Sequence, residues 1–169
     1  THNGWALWSN IFHSSFYEFD VNCGFDENDE QIRDHFIFLD TASGTLGKRQ
    51  VELIEEGLLD GEKNYRYTFI FSHTNIFLPS HLQFASTFPR EEAYFLLNQF
   101  NEWDASVVFC GHVHKWDERF YNDVYYLTLD SMSERNSPDP GDYLVRVKVY
   151  SQGGYDIERV HMNYVAPKK

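Results

Sequence analysis

Two apolar runs end in histidine. One reads Phe69-Ile70-Phe71-Ser72-His73; the other reads Val107-Val108-Phe109-Cys110-Gly111-His112-Val113-His114. Neutral imidazole is a good ligand for divalent zinc, manganese, iron or nickel, so three rings gathered at one place would form a metal site. The spacing favours gathering. Runs this dense in β-branched and aromatic residues read as strands buried on both faces, and ligands of open α/β sheets bind at the carboxyl ends of such strands. Gly111 is expected to turn the chain without a Cβ penalty, and one residue between His112 and His114 keeps their rings close but differently aimed. The solitary histidines His13, His35, His81 and His161 read as hydrogen-bonded surface or core residues.

The elements that must place these residues follow from periodicity and punctuation. Phe16–Val21 and His35–Asp40 read as a hairpin whose tip is the acidic stretch from Asp26 to Glu30. As a calcium loop that stretch fails, because Gln31 stands where the glycine after the third ligand is needed. Thr45 precedes a predicted helix over Leu46–Leu59, stopped by Asp60-Gly61. Pro89 opens a second helix with Glu91 and Glu92 in its first turn, and Tyr94, Leu96, Leu97 and Phe100 are expected to face the sheet. After His114 the pattern becomes extended: Val124–Leu129, Asp142–Tyr150 and Tyr155–Met162 predict an antiparallel meander divided by the segment from Pro138 to Gly141 and by Gly153-Gly154. The order β-β-α-β-α-β followed by strands predicts an α/β fold, a layered β-sandwich with flanking helices, in which a mixed sheet lies under helices and beside a second sheet.

Composition narrows the partners. The chain of 169 residues fits one domain, has ordinary globular composition, and holds only two cysteines, too few for a disulfide framework. No apolar window reaches the length of a membrane span, so the chain reads as soluble. Lys and Arg total 14 against 26 for Asp and Glu, a formal net charge of −12 that disfavours a nucleic-acid surface. An anionic substrate would need a local reversal of that field, and a bound divalent cation is the simplest source.

The Gly111-His112-Val113-His114 motif after its strand, preceded by Phe69–His73, resembles the last two motifs of the calcineurin-like metallophosphoesterases. The stretch from Phe16 to Thr41 and the predicted helix after it resemble the middle of that domain, and Tyr125–Leu129 resembles the strand after its Gly-His-x-His. The resemblance implies hydrolysis of phosphomonoester or phosphodiester bonds by a dinuclear metal centre, with His73 and His112 on one metal and His114 on the other. The family's opening Asp-x-His and Gly-Asp motifs have no counterpart. Thr1-His2-Asn3 stands as a remnant of the third motif, with His2 in the place of the histidine that assists the leaving group. The implied reading is one domain over residues 1–169, the C-terminal portion of a metallophosphoesterase domain, weakly metal-binding and nearly inactive alone. Its cofactors would be two divalent ions per complete site and its partner a phosphate-ester substrate.

Two rival classes remain. A nucleophile could be sought in Cys110 or Ser72, but no Gly-x-Ser-x-Gly elbow exists. A catalytically inactive, aromatic-rich binding module of the same fold is the stronger alternative. It would use exposed rings among Trp5, Trp8, Trp103 and Trp116.

Overall fold

The computed structural model describes residues 8, 10–11, 14–57, 65–77, 87–130 and 143–161. Strands β1 (Tyr17–Phe25) and β2 (Gln31–Phe38) form the expected antiparallel hairpin. At its tip the Asp26 carboxylate accepts the amides of Asn28 and Glu30, and these bonds hold its pKa below the usual carboxylate range. The acidic stretch is thus a hairpin turn. Helix α1 (Gly47–Glu55), β3 (Tyr67–Ser72), α2 (Arg90–Glu102) and β4 (Ala105–Cys110) follow in the predicted order. The first helix ends earlier than the pattern suggests. Gly57, at φ 75°, supplies the stop and donates to the Ile54 carbonyl, while Asp60-Gly61 lies outside the described residues.

Strands β5 (Asp117–Tyr121) and β6 (Val124–Thr128) complete a six-stranded sheet in the order β1-β2-β3-β4-β6-β5. Here the meander expectation fails. The first of the three extended segments, Val124–Leu129, pairs in parallel with β4 and belongs to the first sheet, and β5, charged and unrecognised in the sequence, pairs beside it. Its signal was the pair Asn122-Asp123, both at positive φ, the conformation a two-residue hairpin turn requires. Among the described residues, β7 (Tyr143–Val149) and β8 (Tyr155–His161) form the second sheet.

Alternation along the central strands sends side chains to two cores. Ile37, Ile70 and Val108 face the helices, where Ile54, Leu96 and Phe100 cover them. Phe69, Val107, Phe109 and Leu127 face the second sheet, under Val145, Val147, Tyr155 and Ile157. Each such fully buried aromatic or aliphatic side chain contributes about 1.5–3 kcal/mol. Tyr94 corrects the expectation for α2: it is 62% exposed, whereas Leu96 and Phe100 are buried and Leu97 packs against the same core. Trp103, offered from sequence among the exposed rings of a binding module, packs instead on Phe100.

Two polar ties fix the layers. The Arg66 guanidinium forks onto the Asp34 carboxylate at 2.9 and 2.6 Å and also donates to the Tyr150 and Ser151 carbonyls, which joins β2 to the β7–β8 turn. Glu92 reaches from α2 to the start of α1, where it accepts from Thr45 Oγ1 and the Leu46 amide. Among the described residues no helix is long and apolar enough to cross a membrane.

Candidate metal centre

Strands β2, β3, β4 and β6 are mutually parallel, so their carboxyl ends share one rim. Thr41, just past β2, is 1% exposed and organises that rim. Its Oγ1 accepts the backbone amides of His73 at 2.8 Å and Thr74 at 3.2 Å and lies 3.0 Å from Ser72 Oγ. Its carbonyl accepts Thr74 Oγ1 at 2.6 Å. One buried threonine therefore holds the turn that presents His73. The next strand is tied in by the Gly111 amide, which donates to the His73 carbonyl at 3.0 Å. From the far side, Asn75 Nδ2 donates to Thr128 Oγ1 at 2.7 Å, spanning β4.

The result is a histidine pair. His73 Nε2 lies 3.1 Å from His112 Nδ1, with the rings near perpendicular and 5.0 Å apart. Two nitrogens on one ion at the usual zinc distance stand about 3.0 Å apart at right angles and about 3.4 Å apart in a tetrahedron. The observed separation lies in the range for two donors on one cation, which would replace the hydrogen bond that now joins the two rings. Partial burial and the nearby His112 and His114 push the His73 pKa down, which keeps its ring in the neutral, ligating form. Acidification protonates His73 more readily in the unfolded chain than in the folded one. It therefore lowers stability as pH falls below the ordinary imidazole range.

His114 is exposed on the same rim, near enough to bear on His73 electrostatically. Among the described residues, however, no group of three or more His, Cys, Asp and Glu is placed to hold an ion. The carboxylates that topology brings to the rim are engaged elsewhere. Asp130, after β6, accepts the Trp116 amide and the Arg159 guanidinium, and Asp40, after β2, accepts Ser15 Oγ at 2.6 Å. His2 lies outside the described residues.

Gly111 is not the residue that turns. The left-handed backbone falls on His112 at φ 65° and His114 at φ 52°, and a Cβ at Gly111 would meet only ordinary contacts with His73 at 3.6 and 3.7 Å. Left-handed backbone costs a non-glycine residue about 1–2 kcal/mol, and such strain gathers at functional sites. His112→Gly is accordingly expected to leave stability unchanged or raised by up to about 1 kcal/mol in denaturant unfolding, although a ring contact is lost. A clear destabilisation would show that the ring, not the backbone, dominates there.

Cys110 is fully buried, and burial pushes its thiol up to about 12. A buried thiol that holds its proton is a poor nucleophile, which counts against a cysteine mechanism. In the folded chain at neutral pH, iodoacetamide is expected to modify Cys23 but not Cys110, with Cys110 labelling only on unfolding, as read by mass spectrometry. Trp116, another of the rings offered as exposed, donates to Glu118, lies under the Arg159 guanidinium and packs partly buried against the inter-sheet core. Trp8 is exposed, and Trp5 lies outside the described residues. Sequence reasoning missed Thr41, and its only signal was the polar residue following an apolar strand.

No protein-family model matches the chain, and no curated protein matches it in sequence. Solved structures do match in fold. GAP50, the anchor in the inner membrane complex of Plasmodium, aligns over 88% of this chain with a TM-score of 0.53 and 15% identity. The purple acid phosphatase PPD1 from yellow lupin (Lupinus luteus) seeds aligns over 86% with a TM-score of 0.55 and 15% identity. The chain spans 55% and 30% of those two chains. The mixed α/β architecture is of the calcineurin-like phosphatase type.

Proposed function

We propose that this chain carries the histidine side of a metal-dependent phosphoesterase centre that hydrolyses phosphomonoesters or phosphodiesters. The observation that carries the reading is the 3.1 Å approach of His73 and His112 at the carboxyl ends of adjacent parallel strands. His73 and His112 would hold one divalent cation, of manganese, iron, zinc or nickel, and His114 a second. Bound there, the cations would neutralise phosphoryl charge and supply a hydroxide at neutral pH. The chain's own residues do the rest. Thr41 fixes the backbone beneath His73, partial burial keeps that ring unprotonated, and the His112 backbone aims its ring at His73. His2 is assigned to the leaving group.

In this reading the bridging carboxylates come from outside the described residues, among which no group of three or more possible ligands is placed to hold an ion. The chain alone is therefore expected to bind cations weakly and to turn over little, and a longer form with the missing motifs is expected to hydrolyse an aryl phosphate with added manganese. Calorimetric titration of the chain with manganese and zinc tests this. Weak binding lost in His73→Ala supports the reading, and tight binding of two ions by the chain would overturn the account of what is missing.

A second reading has its own support. The same fold serves as an anchor in GAP50, and the missing carboxylates suit a catalytically inactive, aromatic-rich binding module. That reading expects no response to metal from the histidine pair.

A further inference from the structure

Asn75 is 2% exposed, and among the described residues its side chain makes one hydrogen bond, from Nδ2 to Thr128 Oγ1 at 2.7 Å. Its Oδ1 is a buried acceptor with no partner. The two ends of a side-chain amide differ only in donating or accepting, so whichever way this one is turned an end stays unpaired. A buried polar group without a partner costs more than one ordinary hydrogen bond returns, and an apolar side chain would serve stability at least as well here. Such an exception calls for another reason. It lies in what the amide joins. Asn75 stands two residues after His73, and Thr128 is the register partner of Cys110, two residues before His112. The bond therefore crosses β4 between the segments that carry the ring pair. Three successive residues after His73 are tied down: Thr74 to Thr41, Asn75 to Thr128, and the Ile76 amide to the Cys110 sulfur. Thr41 refers the His73 turn to β2, on the side away from His112; Asn75 and Ile76 refer it to β6 and β4.

We infer that Asn75 is a positioning residue of the candidate metal centre: its amide, acting through Thr128, sets the spacing of His73 and His112 and lowers stability in doing so. The inference rests on the reading of that ring pair as ligands of one cation. A shift of the His73 turn across the sheet changes the 3.1 Å separation directly, and the Asn75 amide opposes that shift from the β6 side as Thr41 does from β2. The side chain is not what keeps the segment folded. The Asn75 carbonyl accepts the Phe88 amide at 3.2 Å, which anchors the backbone ahead of α2 whatever the side chain is. A cavity of about 10 Å³ beside Asn75, lined also by Cys110, Tyr126 and Thr128, leaves an apolar replacement room to settle. Asn75 and Thr41 are thus opposites in their effect on stability: the threonine satisfies buried amides, whereas the asparagine leaves a buried oxygen bare.

Zinc calorimetry and urea unfolding of the same variants test it. Asn75→Leu combined with Thr128→Val removes the amide and the hydroxyl together and leaves neither orphaned. It is expected to be at least as stable as wild type and to bind zinc about tenfold more weakly, the effect of losing a group that supports a ligand. In the metal-free chain, NMR should show the contact between the His73 and His112 rings lost in this variant. Thr128→Ser keeps the acceptor and should match wild type in affinity, stability and ring contact. Thr128→Val alone strands the amide and should lose all three. If the double variant does not fold, these two decide, since Thr128→Val must break the ring contact that Thr128→Ser keeps. A double variant that binds zinc like wild type, or whose stability and affinity fall together, overturns the inference and leaves the metal reading standing, provided His73→Ala still abolishes binding. Wild-type zinc affinity that His73→Ala does not change brings down that reading, and this inference with it.

Discussion

Alanine in place of His112 is expected to lower divalent-metal affinity by more than about a hundredfold, and turnover of the longer form by at least as much. Groups that merely hydrogen-bond to a metal ligand are worth about 10- to 100-fold in affinity, so loss of a ligand should exceed that. His73→Ala should match it, because the two rings face one another at 3.1 Å and serve the same ion in this account. The double variant should be little worse than either single one, since the second ring has no ion left to share. The fold should survive: His73 is only partly covered, and truncation of its ring removes little packing. Near-normal metal affinity in a folded His112→Ala chain would defeat the assignment, and calorimetry with zinc reads it directly.

Thr41→Val is the second large effect, on stability first and on the site through it. Valine keeps the shape and removes the hydroxyl that accepts the amides of His73 and Thr74. Thr74 is fully buried, so its amide loses its partner with no access to water. Each unsatisfied buried donor costs about 1–3 kcal/mol, and two give a loss of about 2–4 kcal/mol in urea unfolding, with the lower end set by the exposure of His73. Thr41→Ser restores the acceptor and should recover most of the loss. Metal affinity should follow the hydroxyl: weakened in Thr41→Val, near wild type in Thr41→Ser. If valine and serine behave alike, the rim is not held through this oxygen.

The sequence carried the parallel half of the fold and the histidine rim, and physics explains why. Phe69–His73 and Val107–Cys110 are continuous apolar runs because both faces of those strands are covered, and that burial pattern is visible without coordinates. β5 was hidden because an edge strand covered on one side tolerates Asp117, Glu118 and Arg119, and its hairpin is announced only by two turn residues at positive φ. Tyr94 misled because helical spacing alone does not say which stripe meets the sheet when Leu96 and Phe100 already fill it. At the site, residue type singled out His73 and His112, whose rings the structure brings together, but the strain at His112 and the role of Thr41 depend on a turn that spacing does not encode. Glycine at position 111 drew attention away from the histidine that actually adopts the left-handed conformation. The partners of Asp40 and Asp130 also needed coordinates, because Ser15 and Arg159 reach them from distant segments.

The account rests on His73 and His112 acting on one cation, and X-ray absorption of the chain with one equivalent of zinc tests it most directly. The expected spectrum contains two imidazole nitrogens at about 2.0–2.1 Å, reduced in His73→Ala and in His112→Ala. A zinc environment without imidazole, or one unchanged by both substitutions, would contradict it.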